Sequence, residues 1–235
     1  MTAELKASRS DSTLILSIVN PGQHNMVDSA ILAATIESFS KAERDGDISC
    51  VILTGADRNF CGGLQAGKDL VTQIAQLENL QNLIETLRSF PKPVIAAVEG
   101  LALDAGFSLA LSCDLIVAGH GAEFAISPAQ VGTWALGGTP WFLSRSLPSQ
   151  WLIEILLDAK PLPSSRLHSA GLVNQLCADG STLDKALEWA VKLSTVAPTA
   201  FEKLKTMLAD APGTTLPSYF SLERHRLLTK RAGPV

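Results

Sequence analysis

The sequence has little charge of either sign and contains no basic cluster. Charged residues make up 18% of the 235 residues, and the formal net charge is −4. Proteins that bind nucleic acid usually carry a basic patch that contacts the phosphates, so we do not expect nucleic acid as a partner. The hydrophobic fraction of 46% is sufficient for one sizeable buried core.

Cysteine is also scarce, and its spacing fits neither a zinc site nor a disulfide framework. The sequence has four cysteines and no C-x-x-C pair; they are Cys50, Cys61, Cys113 and Cys177. Structural zinc sites and small disulfide-rich domains show closely spaced cysteines. The spacing therefore predicts free thiols in an intracellular protein without a metal site.

Long apolar runs are missing as well. No segment approaches the ~20 consecutive apolar residues that span a bilayer, and residues 1–6 do not lead into the apolar core of a secretion signal. We expect a cytoplasmic protein that has no membrane partner.

The patterns that are present alternate between strand and helix. Apolar, β-branched runs predict strands at residues 14–19, 51–53, 94–98, 115–117 and 173–176. Helical spacing predicts helices at residues 29–45 (capped by Asp28), 70–87, 105–111, 141–159 with a break at Pro148, and several segments after residue 183. This order predicts an α/β fold with buried strands, over about residues 1–180, and a helical C-terminal region over 181–235.

Two glycine-rich passages each follow a predicted strand, at residues 59–67 and 100–106. Glycine allows backbone N–H groups to come close to a ligand, and two converging N–H donors would form an oxyanion hole. The first passage has neither the dinucleotide-binding G-x-G-x-x-G pattern nor a phosphate-binding G-K-[ST]. The alternative is that both passages are simple turns.

The order of several short motifs resembles the crotonase (enoyl-CoA hydratase/isomerase) superfamily, and the resemblance covers nearly the whole chain. The motifs are Asn20-Pro21 with His24-Asn25-Met26, residues 51–55, residues 60–63, residues 92–98 with Gly100, residues 112–115, Gly132, Gly137-Gly138 and residues 170–173. Within that superfamily, residues 143–148 and 166–174 look most like alternative-type oxepin-CoA hydrolases and aromatic-degradation isomerases.

The resemblance implies a spiral of ββα turns and a trimer or dimer of trimers, with residues 181–235 as the trimerisation region. It also implies an acyl thioester substrate, carried by CoA or by the phosphopantetheine of an acyl carrier protein, and no separate cofactor. By position, the oxyanion donors are the backbone N–H groups of Leu64 and Ala105, which are flanked by Gly63 and Gly106.

The sequence departs from the superfamily at the positions that handle protons. Ser108 and Pro128 stand where hydratases carry glutamates, and Leu136 stands where other members have an aspartate. Gln65 replaces the Asp or Asn that follows the first glycines. Hydration by two glutamates is therefore not expected.

Asp104 directly precedes an expected oxyanion donor, where relatives usually have glycine. Its carboxylate could act as a general base, directly or through water. The alternative is a helix N-cap, since a capping carboxylate would lie close to the developing enolate and oppose it. Ser108 could hold a water or donate a hydrogen bond, or it could be a small residue packed in the helix.

The remaining candidates are peripheral. Asp69 and Glu78 face either the acyl pocket or solvent, and His24 has a role at the ligand rim or at the surface. Lys68 is the nearest candidate for the CoA phosphates. Trp134 and Trp141 are expected in the pocket wall or the core.

Two functions remain open at this point. The first is an isomerase or lyase of the enoyl-CoA hydratase/isomerase type that moves a double bond, or hydrates or hydrolyses an enoyl thioester, with non-standard acid–base residues. The second is a catalytically reduced homologue that binds an acyl thioester or a protein partner, which the missing carboxylates at residues 108, 128 and 136 suggest.

Overall fold

The computed structural model describes residues 3–65, 67–127, 137–158 and 160–231. The strands are β1 (Glu4–Ser10), β2 (Thr13–Val19), β3 (Cys50–Gly55), β4 (Val94–Val98), β5 (Leu101–Leu103), β6 (Leu115–Gly119), β7 (Glu123–Ala125), β8 (Leu162–Pro163) and β9 (Gln175–Cys177). The helices are α1 (Ser29–Arg44), α2 (Leu70–Ser89), α3 (Ala105–Ser112), α4 (Thr139–Leu143), α5 (Ser149–Asp158), α6 (Ser164–Ser169), α7 (Thr182–Ser194), α8 (Pro198–Asp210) and α9 (Leu216–Arg231).

The larger sheet has the strand order β1-β2-β3-β4-β6-β9, and every pair except β1–β2 is parallel. Its central strand β4 is buried along its whole length, because helices cover both faces of the sheet, and this explains its continuous apolar sequence. The edge strand β1 was not predicted. Its sequence is mostly polar and exposed, so it lacks the alternation that marks a half-buried strand.

A second, smaller layer runs alongside the sheet and produces a spiral. Strand β5 pairs with β7, and β7 pairs with β8. Parallel bridges connect Cys61 to Ala102 and Val27 to Leu64. The chain thus passes from a strand of the large sheet to the small layer and then into a helix, as in β4-β5-α3. The predicted α/β fold with a spiral of ββα turns is confirmed.

Side chains fix the ends of the predicted helix α1. Asp28 caps its start by accepting a hydrogen bond of 2.8 Å from the Ile31 N–H, as predicted. At the other end, the buried Lys92 ammonium donates to the carbonyls of Ala42 and Asp45, at 2.6 and 2.7 Å. Lys92 therefore satisfies carbonyls that the last turn of the helix leaves unpaired.

The C-terminal third is helical, as predicted. Helix α7 packs on the large sheet through Ala186 and Ala190. From α8, the Lys205 ammonium forms a part-buried ion pair of 3.0 Å with Asp114 and donates to the carbonyls of Leu87 and Phe90. Burial raises the pKa of Asp114 and lowers that of Lys205. The division into regions at residues 180 and 181 stays a prediction.

Other local predictions agree with the structure, with bounds that differ by a few residues. Helices α4 and α5 lie on either side of Pro148, where the break was predicted. The strand predicted at residues 173–176 is β9 (Gln175–Cys177). All four cysteines are buried free thiols. Among the described helices, none has the length and apolar character needed to cross a membrane.

Candidate active site

The two glycine-rich passages predicted from the sequence lie side by side. The Cys61 N–H donates to the Leu101 carbonyl at 3.0 Å, and the Leu103 N–H donates to the Cys61 carbonyl at 2.9 Å. Gly106 permits this approach, since a Cβ at that position would lie 2.2 Å from the Cys61 carbonyl oxygen. Helix α3 therefore begins directly against residues 61–63.

The Leu64 N–H points away from Val27, with which Leu64 forms an isolated parallel bridge. The Val27 N–H donates to the Gly63 carbonyl, and the Gln65 N–H donates to the Val27 carbonyl, at 2.9 and 2.8 Å. In a parallel bridge of this kind, the N–H of the residue between them faces the opposite side. There Gly63, with φ +110°, lies against Asp104 at the start of α3.

The second expected donor is in the first turn of α3. Ala105 is the first helical residue, so its N–H has no acceptor within the helix. Within the described parts of the chain, neither the Leu64 N–H nor the Ala105 N–H is paired with an acceptor. Both are therefore available to a ligand oxygen, and their roles as oxyanion donors stay a prediction.

Asp104 lies between these two passages, and its carboxylate does not cap its own helix. It occupies the N-cap position of α3 but forms no side-chain capping bond. Instead, Oδ1 accepts a hydrogen bond of 2.7 Å from the Ser127 N–H at the end of β7. A Cβ on Gly63 would lie 3.7 Å from Oδ2. Asp104 therefore occupies the N-cap position that the capping alternative predicted, but its side chain does not form the capping hydrogen bond.

Burial governs the ionisation of Asp104. The residue is 9% exposed, and this desolvation raises the pKa of its carboxyl above the ordinary value. Hydrogen bonds from Ser127 act in the opposite direction. A carboxyl group with a raised pKa is better matched to taking up and returning a proton near neutral pH.

Ser108 is buried one turn after Asp104, where it meets the second Gly-Gly pair. Its Oγ lies 2.6 Å from Thr139 Oγ1. It also lies 2.9 Å from the position that a Cβ on Gly137 would occupy. Ser108 is therefore a packed residue with a hydrogen-bonded hydroxyl, a combination of the two interpretations that the sequence left open.

Four other predicted residues are exposed. The exposed His24 accepts a hydrogen bond of 2.7 Å at its backbone carbonyl from the Gly62 N–H. Gln65 and Lys68 are exposed at the end of the same passage. Trp141 is 50% exposed, which fits a pocket wall better than the core.

Asp69, at the N-cap of α2, and Glu78, on α2, are exposed, in agreement with the solvated interpretation. The Asp69 carboxylate caps the helix by accepting a hydrogen bond of 2.8 Å from the Thr72 N–H. The predicted positions Pro128, Trp134 and Leu136 lie outside the described residues.

The described residues of this site offer neither a reactive thiol nor a cluster of metal-ligating side chains. Cys61 is buried beside Gly63, and burial raises the pKa of its thiol to about 12, so the reactive thiolate is scarce at neutral pH. Over the described ranges, no group of His, Cys, Asp and Glu side chains has the arrangement of a metal site.

Sequence reasoning missed two polar partners. The Ser127 N–H donates to Asp104, which precedes it by 23 residues in the sequence. The hydroxyl groups of Ser108 and Thr139 are hydrogen-bonded although 31 residues separate them in the sequence. Both contacts are made by folding between distant segments, and neither has a local sequence signal.

Comparison with known proteins gives the same family as the motifs. The sequence profile of the family described as enoyl-CoA hydratase/isomerase matches residues 8–231. The chain belongs to the enoyl-CoA hydratase/isomerase family. The match spans both glycine-rich passages, α3 and the C-terminal helices, so the recognition made from the motifs is confirmed.

Proteins with similar sequences include several named as hydratases and one named as an isomerase. The 2,3-dehydroadipyl-CoA hydratase of Escherichia coli is 31% identical over 94% of this chain and 88% of its own length. The 1,2-epoxyphenylacetyl-CoA isomerase of the same organism is 29% identical over 90% of this chain and 84% of its own length.

A solved structure of the family has the same fold. The enoyl-CoA hydratase from Polaromonas sp. JS666 superimposes with a TM-score of 0.89 at 36% identity, covering 96% of this chain and 91% of that structure. The spiral described above is therefore the family fold.

Proposed function

We propose that this protein is an enzyme that binds an acyl- or enoyl-CoA thioester and stabilises its enolate between the N–H groups of Leu64 and Ala105. The observation that carries the proposal is the position of Asp104, buried against Gly63 and adjacent to Ala105. A proton-transfer group thus lies beside two main-chain donors without described acceptors. Loss of one such donor typically costs roughly 3–4 kcal/mol of transition-state stabilisation.

Asp104 acts in this proposal as the group that removes and returns the proton. When its carboxylate takes a proton from the carbon next to the thioester carbonyl, Asp104 becomes neutral as the enolate becomes negative. The negative charge moves from one group to the other and does not increase. The repulsion that would oppose an enolate beside a permanent carboxylate is therefore relieved in the step that forms it.

Double-bond isomerisation fits this single carboxyl group best. Removal of the proton at C2 of a 3-enoyl thioester forms a dienolate, and return of a proton to C4 from the Asp104 carboxyl group, after exchange with water, completes the 2-enoyl product. One acid–base group serves both steps, and the chemistry requires no metal or separate cofactor. Hydration or dehydration is the second candidate, because the similar Escherichia coli protein is named a hydratase; it requires Asp104 to activate a water.

The proposal also covers the group that carries the acyl chain and the arrangement of the subunits. CoA is favoured over an acyl carrier protein, since the named relatives act on CoA compounds. Lys68 and His24 are exposed, and we propose that they contact the CoA moiety. Large apolar side chains are exposed on α8 and α9, at Leu204, Leu208, Leu216 and Phe220, which is consistent with a trimer or dimer of trimers in the cytoplasm.

Product analysis with purified protein tests the proposal. The protein is incubated with 2-enoyl-, 3-enoyl- and 3-hydroxyacyl-CoA thioesters, and the products are separated by liquid chromatography with mass detection. We expect interconversion of the 3-enoyl and 2-enoyl compounds. Formation of 3-hydroxyacyl-CoA alone would identify a hydratase, and binding without any conversion would favour the catalytically reduced homologue.

A further inference from the structure

Helix α2, which the structure describes over its whole length, buries one polar side chain together with four apolar ones. The polar residue is Gln76, which is only 8% exposed, and the apolar ones are Leu80, Leu83, Ile84 and Leu87. This helix packs against α3. A buried amide costs free energy unless it is hydrogen-bonded, because it has given up its contacts with water. Gln76 therefore needs a partner, which either the fold or a ligand must supply.

Among the residues that the structure describes, the Gln76 amide has no hydrogen-bond partner. Two other amides of the chain differ in this respect. The buried Asn25 forms three hydrogen bonds to the backbone through its side chain. The exposed Gln73, three residues before Gln76 on α2, donates to the Gly67 carbonyl at 3.2 Å. The partner that Gln76 needs is therefore more readily explained by a ligand than by the fold.

The Gln76 amide lies beside the end of the first glycine-rich passage. A Cβ on Gly67 would lie 2.9 Å from Gln76 Oε1. Gly67 follows the expected oxyanion donor Leu64 by three residues. Long side chains on a helix point back towards its N-terminus. The amide therefore extends from α2 towards the passage that contains Leu64.

Helices α2 and α3 run side by side in the same direction, as two pairs of residues show. Leu80 of α2 and Ser108 of α3 each lie 2.9 Å from the position that a Cβ on Gly137 would occupy. Closer to the C-terminal ends of the two helices, Ile84 and Leu111 line one cavity. Leu80 is therefore level with Ser108.

This alignment places Gln76 level with Asp104. Gln76 precedes Leu80 by four residues, and Asp104 precedes Ser108 by four, which is about one helical turn in each case. The Ser108 N–H donates to the Asp104 carbonyl at 3.1 Å, as expected for one turn. The axes of packed helices lie about 8–10 Å apart, so both side chains can contact a small group held between them. The Gln76 amide thus faces the candidate active site from the side opposite α3.

We propose that Gln76 is a specificity-determining residue whose amide hydrogen-bonds an oxygen substituent on the acyl chain. The inference rests on the proposed function, because it requires the thioester carbonyl to lie between Leu64 and Ala105. Since Gln76 is level with Asp104, the oxygen belongs on one of the first carbons after the carbonyl, as a hydroxyl group at C3 or C4. An amide can both donate to and accept from a hydroxyl group. An unsubstituted chain would displace water and leave the amide without a partner, and sites built to form hydrogen bonds reject such analogues.

Binding of three acyl-CoA compounds, measured by isothermal titration calorimetry, tests this proposal. Butyryl-CoA is compared with 3-hydroxybutyryl-CoA and 4-hydroxybutyryl-CoA, which differ from it by one hydroxyl group. We expect one of the two hydroxy compounds to bind at least roughly tenfold more tightly than butyryl-CoA, as one well-placed hydrogen bond allows. The titrations are repeated with Asp104→Asn, so that conversion of the 3-hydroxy compound does not contribute to the heat, and the same ratio is expected.

Two variants test whether Gln76 causes the preference. Gln76→Leu and Gln76→Met keep a similar volume but remove the amide, so each should bring the ratio of the affinities close to one and strengthen the binding of butyryl-CoA. Gln76→Met, with its more adaptable side chain, provides the second test if Gln76→Leu folds poorly. Gln81→Leu is the matched control, because it makes the same change at an exposed position of α2. It should keep the wild-type ratio.

The outcomes separate this inference from the proposed function. If the wild type binds all three compounds equally, or if the Gln76 variants weaken all three to the same extent, Gln76 does not determine specificity, while thioester binding stands. A preference that survives in both Gln76 variants would also overturn the inference, because the hydroxyl group would then have another partner. If none of the three compounds binds to the wild type, the proposed function fails and the inference fails with it.

Discussion

The Asp104 carboxylate accepts its hydrogen bond from the Ser127 N–H, at 2.7 Å, and not from the helix that Asp104 begins. Asp104 also has a positive φ of +50°, with ψ −110°, a conformation that favours glycine. Both its conformation and its burial are unfavourable for an aspartate. Such strain is typical of residues kept for function, and here it holds a carboxylate beside the expected enolate.

Replacement of Asp104 by glycine should stabilise the fold while removing activity. Glycine adopts positive φ without steric cost, and the buried charge disappears. We expect Asp104→Gly to raise the free energy of unfolding by about 1–3 kcal/mol, measured by urea denaturation. A variant that is less stable than the wild type would show that the Ser127 contact outweighs the strain.

Asp104→Asn removes the charge of Asp104 and keeps the shape of its side chain. The pH dependence of the difference in stability between this variant and the wild type should therefore report the effect of the charge alone. Because the folded protein raises the pKa of Asp104, the ionised carboxylate costs stability above that pKa. The asparagine variant should therefore be more stable than the wild type at neutral pH. Its advantage should shrink as the pH falls through the raised pKa towards the ordinary value of 3.8.

Urea denaturation of the wild type and of Asp104→Asn at several pH values tests this prediction. If the wild type were the more stable protein at neutral pH and lost that advantage on acidification, the folded protein would favour the ionised carboxylate. Asp104 would then be a poor acceptor for a substrate proton.

Ser108→Ala tests whether the buried hydroxyl pair has a catalytic role. Ser108 is hydrogen-bonded to Thr139 and enclosed, so we expect its loss to change kcat by less than tenfold. The free energy of unfolding should fall by about 1 kcal/mol, because the Thr139 hydroxyl loses a partner. A loss of kcat by a factor of roughly a hundred or more, as removal of a general acid–base group causes, would move the acid–base role from Asp104 to this pair.

Gly106→Ala should damage the site through the backbone. Its methyl group would lie 2.2 Å from the Cys61 carbonyl oxygen, so α3 must shift away from residues 61–63. A misplacement of about 1 Å can cost roughly a hundredfold in rate, and overpacking typically costs about 1–3 kcal/mol of stability.

Gly46→Ala is the matched control for this change. A Cβ at Gly46 meets no atom within 4 Å, so rate and stability should stay near wild type. Wild-type kcat in Gly106→Ala would contradict the view that close packing of these two passages sets the spacing of the donors.

Much of the fold could be predicted because its signals are local. The apolar run at residues 94–98 and the Asp28 cap each depend on a few neighbouring residues. Strand β1 could not be predicted in this way, because it is held by pairing with β2 while its side chains are mostly exposed. Helix α2 illustrates the same limit: the apolar Leu70 and Ile74 fit its helical spacing, yet both are exposed.

The candidate site was partly predictable for the same reason. The family resemblance assigned the oxyanion donors to Leu64 and Ala105, but the sequence left a choice for Asp104 between a helix N-cap and a general base. That choice depends on Ser127, which approaches only when β7 pairs with β5. A cavity lined by residues of α2, α3 and α8 and by residues in and after α4, among them Arg88 and Arg145, was not predicted either, because these segments are far apart in the chain.

Deuterium uptake tests the central claim most directly. A 3-enoyl-CoA thioester is incubated in deuterated water with wild type and with Asp104→Asn, at concentrations that saturate both, and uptake at C2 is followed by mass spectrometry. We predict rapid uptake with the wild type and a rate lower by a factor of roughly 10²–10⁴ with Asp104→Asn, at unchanged thioester affinity. Equal rates in the two proteins, or no uptake by a wild type that binds the thioester, would contradict the account.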